Sequence, residues 1–248
     1  MTATAFSAVR KQALSEAVYR QIEHKILHGE LPAGTPLPAE RTLSNALGVN
    51  RGAVREALKR LQQAGLVAVR QGGHSVVCDY RDAGGLELLP SLLVRANGQI
   101  DGAVVRSIMA MRSALAPEIA AAAATHGGAP LADALDAILA QMHAQADDRG
   151  ALQHLALAFW KKLVESSGNI AFRLAFNSMI RTYTLVWETL AAVLEPEFRD
   201  LKNLRLIARA VRDGDAETAR AAGRRHVDIG RRALERVLTT LENEGDRR

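Results

Sequence analysis

The sequence is poor in the residues that define several classes of protein. It has one cysteine, Cys78, among 248 residues, so no disulfide framework and no multi-cysteine zinc site can form within the chain. Aromatic residues make up only 4% of it, which together with abundant alanine and leucine favours helix over strand. No window approaches about 18 consecutive apolar residues, and the N-terminus has no apolar stretch before a cleavage site. We therefore expect a cytoplasmic, mainly α-helical protein without a membrane span.

Positive charge is concentrated towards the N-terminus. Residues 1–80 contain ten Lys or Arg and six Asp or Glu, so they carry +4 of the chain's formal net charge of +5. This asymmetry indicates a polyanionic partner for the N-terminal third alone. A solvated basic face without any partner explains the charge equally well, so the local pattern has to decide between them.

Residues 9–78 have the pattern of a winged helix-turn-helix domain. A first amphipathic helix ends near Gly29, and proline and glycine in the connector at 32–38 predict no regular structure there. Two further helices are joined by a tight turn at Gly48. The stretches VAVR and SVV then predict a small β-hairpin wing, with glycines at its tip.

The two helices around Gly48 each have an apolar face. The first begins at about Ala39 and is expected to bury Leu43, Ala46 and Leu47. The second begins after Asn50, which is a good N-cap. Its apolar stripe consists of residues at helical spacing, namely Val54, Ala57, Leu58 and Leu61.

Basic side chains lie where such a domain would meet DNA. Arg51 and Arg55 are one turn apart near the start of the second helix, so both could reach guanine edges, which suit a bidentate arginine. Arg41, which opens the preceding helix, is better placed for a phosphate or a neighbouring base. We therefore take double-stranded DNA as the expected partner of this domain.

The wing tip adds to this prediction, although each arginine alone has a simpler explanation. Gly72 has no side chain, so the backbone there could approach a phosphate or the minor groove. Arg55, on the other hand, could form a surface ion pair with Glu56 or Glu40. The combination of helix, turn, helix and glycine-tipped wing favours DNA binding.

The stretch LPAERTLSNALGVNRGAVREALKRLQQAGLV resembles the N-terminal signature of GntR-type bacterial transcription regulators, and the similarity runs from about Leu14 to Val77. The resemblance implies that the DNA-contacting positions are Arg41, Asn50, Arg51, Arg55 and Gly72. The chain departs from fatty-acid-responsive members just after Arg51, where Gly52 and Ala53 replace two small hydroxyl residues that are common there. No operator sequence is therefore carried over from those relatives.

The remainder of the chain has a helical pattern. A linker that contains a short apolar helix, interrupted by Pro90, is predicted at 79–101. Six or so Ala- and Leu-rich helices are expected over 102–241, followed by a polar tail at 242–248. Breaks are predicted at 126–130, 147–150, 166–169, 194–198 and 212–215. The second domain is thus expected to be an all-α helical bundle.

Three pieces of this bundle, MRSALAPEIAAAAA, FWKKLVESSGN and AVRDGDAETARAAGRRHV, resemble the effector-binding domain of the FadR subgroup. Many members bind a divalent metal through one Asp and three His. The resemblance implies that those positions are occupied here by Ala156, Trp160, Leu204 and His226. One imidazole cannot hold a metal ion by itself, so we expect no metal cofactor and interpret His226 as a pocket or core histidine.

Without a metal, the resemblance implies an effector of another kind, since the metal-free subgroup includes regulators that bind long-chain acyl-CoA between helices. Residues at helical spacing over 171–194 could line an apolar tunnel, namely Phe172, Phe176, Met179, Tyr183 and Trp187. Ordinary core packing explains them as well. Arg112 is a candidate anchor for a carboxylate, thioester or phosphate, but it could equally form a buried ion pair with Glu118 or Glu165. The candidate effector-binding residues are Arg112, Trp160, Tyr183, Trp187 and His226.

No catalytic constellation emerges, because the sequence offers no nucleophile beside a base, no paired carboxylates and no phosphate loop in its required context. We predict a ligand-responsive transcription regulator that binds a near-palindromic operator as a homodimer and senses a fatty acyl-CoA. A regulator of the same type that senses a small carboxylate or sugar acid is the first alternative. A basic helical protein that acts as an enzyme or as a non-specific nucleic-acid packager is the second.

Overall fold

The computed structural model describes residues 12–70, 74–95 and 97–245. The chain divides into two units, Met1–Ile100 and Asp101–Arg248. The first contains helices and a two-stranded sheet, and the described residues of the second form helices joined by turns, without a strand. This confirms the predicted mainly α fold with a small β wing. No helix within the described ranges is long and apolar enough to cross a membrane.

The N-terminal unit is a winged helix-turn-helix. Its main elements are α1 (Gln12–Leu27), α2 (Glu40–Leu47), α3 (Arg51–Gln63), β1 (Val67–Val69) and β2 (Ser75–Val77). The two strands pair antiparallel, with Val67 opposite Val77. Helix α1 packs on α3, and both contribute to one apolar core that also includes residues of the wing: Val18, Ile22, Ile26, Ala57, Leu61, Leu66 and Val77. The wing is therefore held on the helices by shared burial.

Two apolar residues of this unit do not lie where the helical pattern predicts. Leu14 is half exposed, although it shares its spacing with the buried face of α1. Ala46 is exposed, and the buried position of α2 is taken instead by Ser44, whose hydroxyl donates to the Arg41 carbonyl at 2.9 Å. With that hydrogen bond made, burial of a hydroxyl costs little. The buried face of this short helix is centred on Ser44, so Ala46, two residues further along, points to solvent.

The connector at 32–38 contains no helix or strand, as predicted, and backbone hydrogen bonds hold it against the wing. The Leu37 N–H donates to the Ser75 carbonyl at 2.8 Å, and the Val77 N–H donates to the Thr35 carbonyl at 2.9 Å. Pro36 forms the bridge opposite Val76 between these two bonds. Proline is tolerated because the residues on either side of it make the antiparallel hydrogen bonds.

The segment expected to be a linker packs on α1. It consists of α4 (Tyr80–Ala83), a 3₁₀ turn (Leu86–Leu88) and α5 (Leu89–Leu93). Leu88 and Leu93 are each only 2% exposed, and the Ser91 hydroxyl donates to Glu23 at 3.0 Å. Pro90 lies in the first turn of α5, where its missing N–H is not needed, so it starts this helix rather than interrupting it.

The described part of the second unit contains six helices, as the pattern predicts. They are α6 (Gly102–Ala144), α7 (Arg149–Ser166), α8 (Ile170–Thr184), α9 (Trp187–Phe198), α10 (Leu201–Asp213) and α11 (Ala216–Gly245). Helix α6 is kinked at Gly128, whose φ of 60° is left-handed. It packs against α7, α10 and α11, and together these helices bury one continuous apolar core.

One predicted break is wrong. The single helix expected over 171–194 is divided at residues 185 and 186, and α9 then continues through the stretch 194–198 with Pro196 inside it. The last turn of α9 persists because three of its side chains are buried, namely Leu194, Glu197 and Phe198. Burial there outweighs the cost of proline near a helix end. The predicted polar tail also differs, since α11 extends to Gly245 and only 246–248 lie outside the described residues.

A pair of glycine substitutions tests how α4 is held. Gly65 and Gly48 both have positive φ, 71° and 64°. A Cβ at Gly65 would lie 2.3 Å from the Ala83 carbonyl oxygen, whereas a Cβ at Gly48 would meet nothing within 4 Å. Both alanine variants therefore carry left-handed strain, but only Gly65→Ala also collides with backbone. We expect it to lower the free energy of unfolding by about 1–3 kcal/mol more than Gly48→Ala in urea denaturation. Equal losses would show that α4 moves away without cost.

Candidate DNA interface and effector site

The start of α3 is fixed by a local cap. The Asn50 side-chain oxygen accepts a hydrogen bond from the Ala53 N–H at 2.9 Å, which confirms Asn50 as the N-cap. Gly48 ends α2 two residues earlier in a left-handed conformation. Because its oxygen is occupied by the cap, Asn50 has only its amide nitrogen left to donate to DNA. Its role in DNA binding stays a prediction.

The arginines that the sequence assigns to DNA are exposed. Arg41 opens α2, and Arg51 and Arg55 lie in the first two turns of α3. Arg55 is paired, since its guanidinium donates to both carboxylate oxygens of Glu40, at 2.9 Å for the closest contact. This hydrogen bond lowers the pKa of Glu40 and raises the pKa of Arg55. The ion pair links α2 to α3.

The Arg55–Glu40 pair does not prevent Arg55 from reaching a base. The arginine side chain is 72% exposed, and exposed ion pairs contribute only about 0–1 kcal/mol. A bidentate contact with guanine is worth about 1–3 kcal/mol of discrimination between bases. If Arg55 contacts a base as predicted, exchange of Glu40 for the base edge is therefore favourable, and without DNA the pair keeps the guanidinium at the surface of α3.

Gly72 lies outside the described residues, so its predicted place at the wing tip is not examined by the structure. The hairpin is closed just below it by a hydrogen bond from the Arg70 N–H to the His74 carbonyl, at 2.9 Å. Arg70 and His74 are both exposed beside the tip. Arg70, just after the end of β1, is a further candidate for a phosphate contact that its charge alone did not reveal.

In the helical unit, Arg112 of α6 forms a buried ion pair. Its partner is Glu197 of α9, which is 1% exposed and accepts from the Arg112 guanidinium at 2.8 Å. Burial alone would lower the pKa of Arg112, but attraction to Glu197 and the hydrogen bond with it outweigh burial and raise it, so the arginine stays charged. The partners considered from the sequence are wrong, because Glu118 pairs with Arg220 and Glu165 with Arg173.

His226 of α11 lies between two carboxylates. It is fully buried, and its Nδ1 is 3.1 Å from the Asp200 carboxylate. Its Nε2 is 3.5 Å from Glu197, within range of charge attraction but without hydrogen-bonding geometry. Burial tends to raise the pKa of Asp200, but hydrogen bonds from His226 and Asn203 outweigh it, and the pKa is lowered. Asp200 is therefore ionised at neutral pH.

Trp160 of α7 is next to this cluster. Its ring lies 5.9 Å from that of His226, and it is 6% exposed. The indole N–H is buried and has no hydrogen-bond partner among the described residues. We refer to Arg112, Trp160, Glu197, Asp200 and His226 as the polar cluster.

The residues at the expected metal positions do not fit a metal ion. Ala156, Trp160 and Leu204 are buried and offer no ligand atom, which leaves His226 alone. Within the described ranges, no three His, Cys, Asp or Glu side chains are grouped so as to hold a metal. The absence of a metal cofactor stays a prediction.

The two remaining candidates, Tyr183 and Trp187, form an aromatic pair. Their rings meet edge to face at 5.1 Å, and the buried Gln153 donates both to the Tyr183 hydroxyl, at 2.7 Å, and to the Trp187 carbonyl, at 3.0 Å. Burial raises the pKa of Tyr183 to about 12, and the charges of Arg112 and Glu197 are near enough to affect it. Because these two charges act on Tyr183, we treat the aromatic pair and the polar cluster as one candidate effector site.

The predicted single aromatic stripe is nevertheless wrong. Tyr183 belongs to α8, whereas Trp187 begins α9. Phe172 and Phe176 are half-buried and pack against the main core, as the alternative of ordinary core packing predicts. Sequence reasoning missed Gln153, Glu197 and Asp200. Glu197 and Asp200 could have been noticed in the sequence as two acidic residues three positions apart, at a helix end next to the apolar residue Phe198.

Comparisons with known proteins identify the family to which both units belong. Residues 14–77 match the family described as bacterial regulatory proteins, gntR family, and residues 107–229 match the FCD domain. The HTH-type transcriptional regulator Mce2R of Mycobacterium tuberculosis is 38% identical over 236 residues, which are 95% of this chain and 98% of that protein. The chain belongs to the gntR family.

More distant matches agree. The fatty acid metabolism regulator protein of Salmonella paratyphi B is 27% identical over 96% of this chain and 99% of its own. A solved structure titled "Lar controls the expression of the Listeria monocytogenes agr system and mediates virulence" covers 92% of this chain and 99% of its own, with 18% identity and a TM-score of 0.56. That likeness shows the fold alone. The protein is a DNA-binding transcriptional regulator with an FCD effector domain, and it is not an enzyme.

The arginines of α3 yield a direct test of DNA reading. Arg51→Ala and Arg55→Ala should each cost about 1–3 kcal/mol of operator binding and relax base preference, because each removes a possible bidentate base contact. Fluorescence anisotropy with a selected operator and its base variants measures both effects. Glu40→Gln is the control, since it removes the ion pair but keeps Arg55, and it should bind at least as tightly with unchanged preference. Wild-type affinity and preference in both arginine variants would contradict the assignment.

Substitutions of Asp200 can separate the effect of its negative charge from the effect of its cap on α10. Its oxygen also caps α10 by accepting from the Asn203 N–H at 3.3 Å. Because the folded pKa is lowered, ionised Asp200 stabilises the fold above its unfolded value of about 3.9, and this is lost as the pH falls through the folded pKa. Asp200→Asn keeps a capping oxygen without the charge. We expect a loss of about 1–2 kcal/mol at pH 7 and a shallower decline below about pH 4 than in wild type.

Urea denaturation over a series of pH values measures this. Asp200→Ala, which removes the cap as well, should lose about 1 kcal/mol more than Asp200→Asn at neutral pH. If Asp200→Asn and wild type lost stability in parallel on acidification, the carboxylate would not be the group that responds.

Proposed function

We propose that this regulator binds its operator as a homodimer and that a fatty acyl-CoA, held at the polar cluster and the adjacent aromatic pair, modulates that binding. The operator is expected to be near-palindromic, because two helix-turn-helix units related by a two-fold axis meet two equivalent half-sites. Such a regulator acts where the DNA is, in the cytoplasm. The small-molecule part of the proposal rests on the helical unit.

The Trp160 indole N–H is the observation that carries this proposal. Indole is a donor only, and leaving a buried donor unpaired costs about 1–3 kcal/mol. Here the N–H is buried, with the His226 ring beside it, and no described residue accepts from it. A ligand oxygen bound at this position would relieve that cost. The site therefore favours a ligand with an acceptor oxygen attached to an apolar body.

Charge at the polar cluster discriminates between kinds of acceptor oxygen. Two carboxylates, Glu197 and Asp200, already share one arginine and one histidine, and Arg112 is occupied by Glu197. A third carboxylate would have to displace Glu197 from Arg112 and would then lie near another negative charge. The carbonyl of a thioester is uncharged and needs no such displacement. This argument favours an acyl thioester over a small carboxylate or sugar acid.

The apolar part of the ligand has a matching surface nearby. Tyr183 and Trp187 are half-buried, as are Phe172 and Phe176 on α8. Half-buried aromatic side chains lose more exposed apolar area when a hydrocarbon chain covers them, and each Å² is worth about 25 cal/mol. The name of the Salmonella relative, a fatty acid metabolism regulator protein, supports the same effector class.

Modulation would follow by a shift in population. An effector that binds one arrangement of the helical units more tightly than another changes the spacing at which the two DNA-binding units are held. If the favoured spacing no longer matches the half-sites, operator binding weakens by the ratio of the effector's two affinities. The proposal therefore requires that the effector binds the protein and that its binding changes the affinity for the operator.

Isothermal titration calorimetry tests the effector class. The protein is titrated with palmitoyl-CoA, with palmitate and with a panel of small carboxylates and sugar acids. We expect saturable binding of palmitoyl-CoA and weaker binding of palmitate, because palmitate brings a third carboxylate. Trp160→Phe keeps the apolar ring but lacks the N–H, so it should weaken palmitoyl-CoA binding about 2- to 10-fold.

Three outcomes would overturn the proposal. The first is an absence of palmitoyl-CoA binding at tens of micromolar. The second is tight binding of a small carboxylate or sugar acid instead, which would establish the alternative effector class. The third is palmitoyl-CoA binding that leaves the affinity for the selected operator unchanged in fluorescence anisotropy.

A further inference from the structure

A groove on the helical unit lies between the C-terminal half of α6 and helix α10. Its volume is about 430 Å³, and it is lined by Asp136, Leu139, Ala140, His143, Arg205, Arg209 and Arg212. Ligand sites for small molecules typically have volumes of about 300–1,000 Å³. The groove is therefore large enough for a small ligand, and none of the residues of the polar cluster lines it.

The basic character of the groove follows from the amphipathic pattern of α10. Leu204, Ile207 and Val211 are buried in the core of the unit. The opposite face is exposed and carries four basic residues, namely Lys202, Arg205, Arg209 and Arg212. They lie on one side of the helix because residues three or four apart lie above one another. Three of these four side chains line the groove.

The three arginines differ in how they are compensated. Arg212 donates to Asp133 at 2.7 Å and to Asp136 at 2.9 Å, so the one acidic residue that lines the groove is already neutralised. Neither Arg205 nor Arg209 makes an ion pair or a side-chain hydrogen bond with any residue in the described part of the chain. Two uncompensated guanidinium groups therefore face one cavity.

We propose that this groove binds a small molecule that carries two neighbouring phosphoryl groups, such as the pyrophosphate of a nucleoside diphosphate. Arg205 and Arg209 are one helical turn apart, so their Cβ atoms are about 5–6 Å from each other. Each guanidinium presents a planar fork that matches phosphate oxygens. One anion with two phosphoryl groups can therefore contact both guanidinium groups at once. A single sulfate contacts both of them less well.

The remaining lining residues fit the rest of such a ligand. His143, at the end of α6, adds an imidazole nitrogen at the edge of the groove. Leu139 is buried and Ala140 is exposed, so together they provide an apolar surface for a ring or sugar carbon atoms. This assignment does not depend on the effector proposed above, because it rests on different residues.

Calorimetry with the full chain at low ionic strength tests the proposal, with inorganic pyrophosphate, ADP and sulfate as the probes. We expect one saturable site per chain for pyrophosphate and ADP, each bound at least 10-fold more tightly than sulfate. Binding should weaken as salt is added, since the arginines are exposed.

Variants identify the groove as the site. The double variant Arg205→Gln/Arg209→Gln should weaken pyrophosphate binding at least 10-fold, because it removes both uncompensated charges. Arg236→Gln is the matched control, since Arg236 is an exposed arginine on α11 that does not line the groove. It should leave pyrophosphate binding unchanged. Circular dichroism checks that each variant keeps its helical content.

The proposal is overturned by any of three results. Pyrophosphate and ADP show no saturable binding, or they bind no more tightly than sulfate, or the double variant binds them as wild type does. A fourth measurement separates the small ligand from DNA. If the double variant reduces the salt dependence of operator binding by about two phosphate contacts, the groove meets the DNA backbone and the small-molecule assignment is wrong.

Discussion

The carboxylate of Glu197 is the group around which the helical unit is arranged. It is almost fully buried on α9, it accepts from Arg112 on α6, and it lies beside His226 on α11. A Cβ at Gly230 of α11 would be 1.9 Å from this carboxylate, so the helix can approach only because that residue is glycine. Removing one partner of a buried ion pair costs about 3–5 kcal/mol, because the other charge is left uncompensated. The packing of three helices therefore depends on this one group.

The two units use charge in opposite ways. In the winged helix-turn-helix, the arginines assigned to DNA are exposed, and the ion pair of Arg55 with Glu40 is weak enough to be exchanged for a DNA contact. In the helical unit, the charges of the polar cluster are largely buried and compensate one another, which holds α6, α9 and α11 in one arrangement. An effector that acts at Trp160 and His226 reaches that compensated network directly. This gives a physical route from ligand to helix packing, while the route from packing to DNA requires the proposed dimer.

Local chemistry made the DNA-binding unit predictable from the sequence. The Asn50 cap, the turn at Gly48 and the paired strands depend on neighbours in the chain, and all three are as predicted. The ordering of the connector at 32–38 was not predictable, because it depends on pairing with β2, about 40 residues further along the chain. The predicted DNA contacts of the arginines stay predictions.

The effector site was only partly predictable, for the same reason. Arg112, Trp160 and His226 were singled out, yet the residue that connects them, Glu197, was missed, since it lies 85 positions from Arg112. Its burial also explains why α9 continues past Pro196, where the pattern predicted a break. Ion pairs between distant helices leave no periodic trace in a single sequence, and apolar patterning cannot find them.

Selection of preferred sites from a random DNA library tests most directly whether this chain binds DNA in a sequence-specific way. We predict enrichment of a near-palindromic sequence with two half-sites about 10 base pairs apart, or a multiple of that spacing, at physiological salt. Enrichment of no sequence, with an affinity that follows salt concentration alone, would contradict it and show a non-specific nucleic-acid-binding protein.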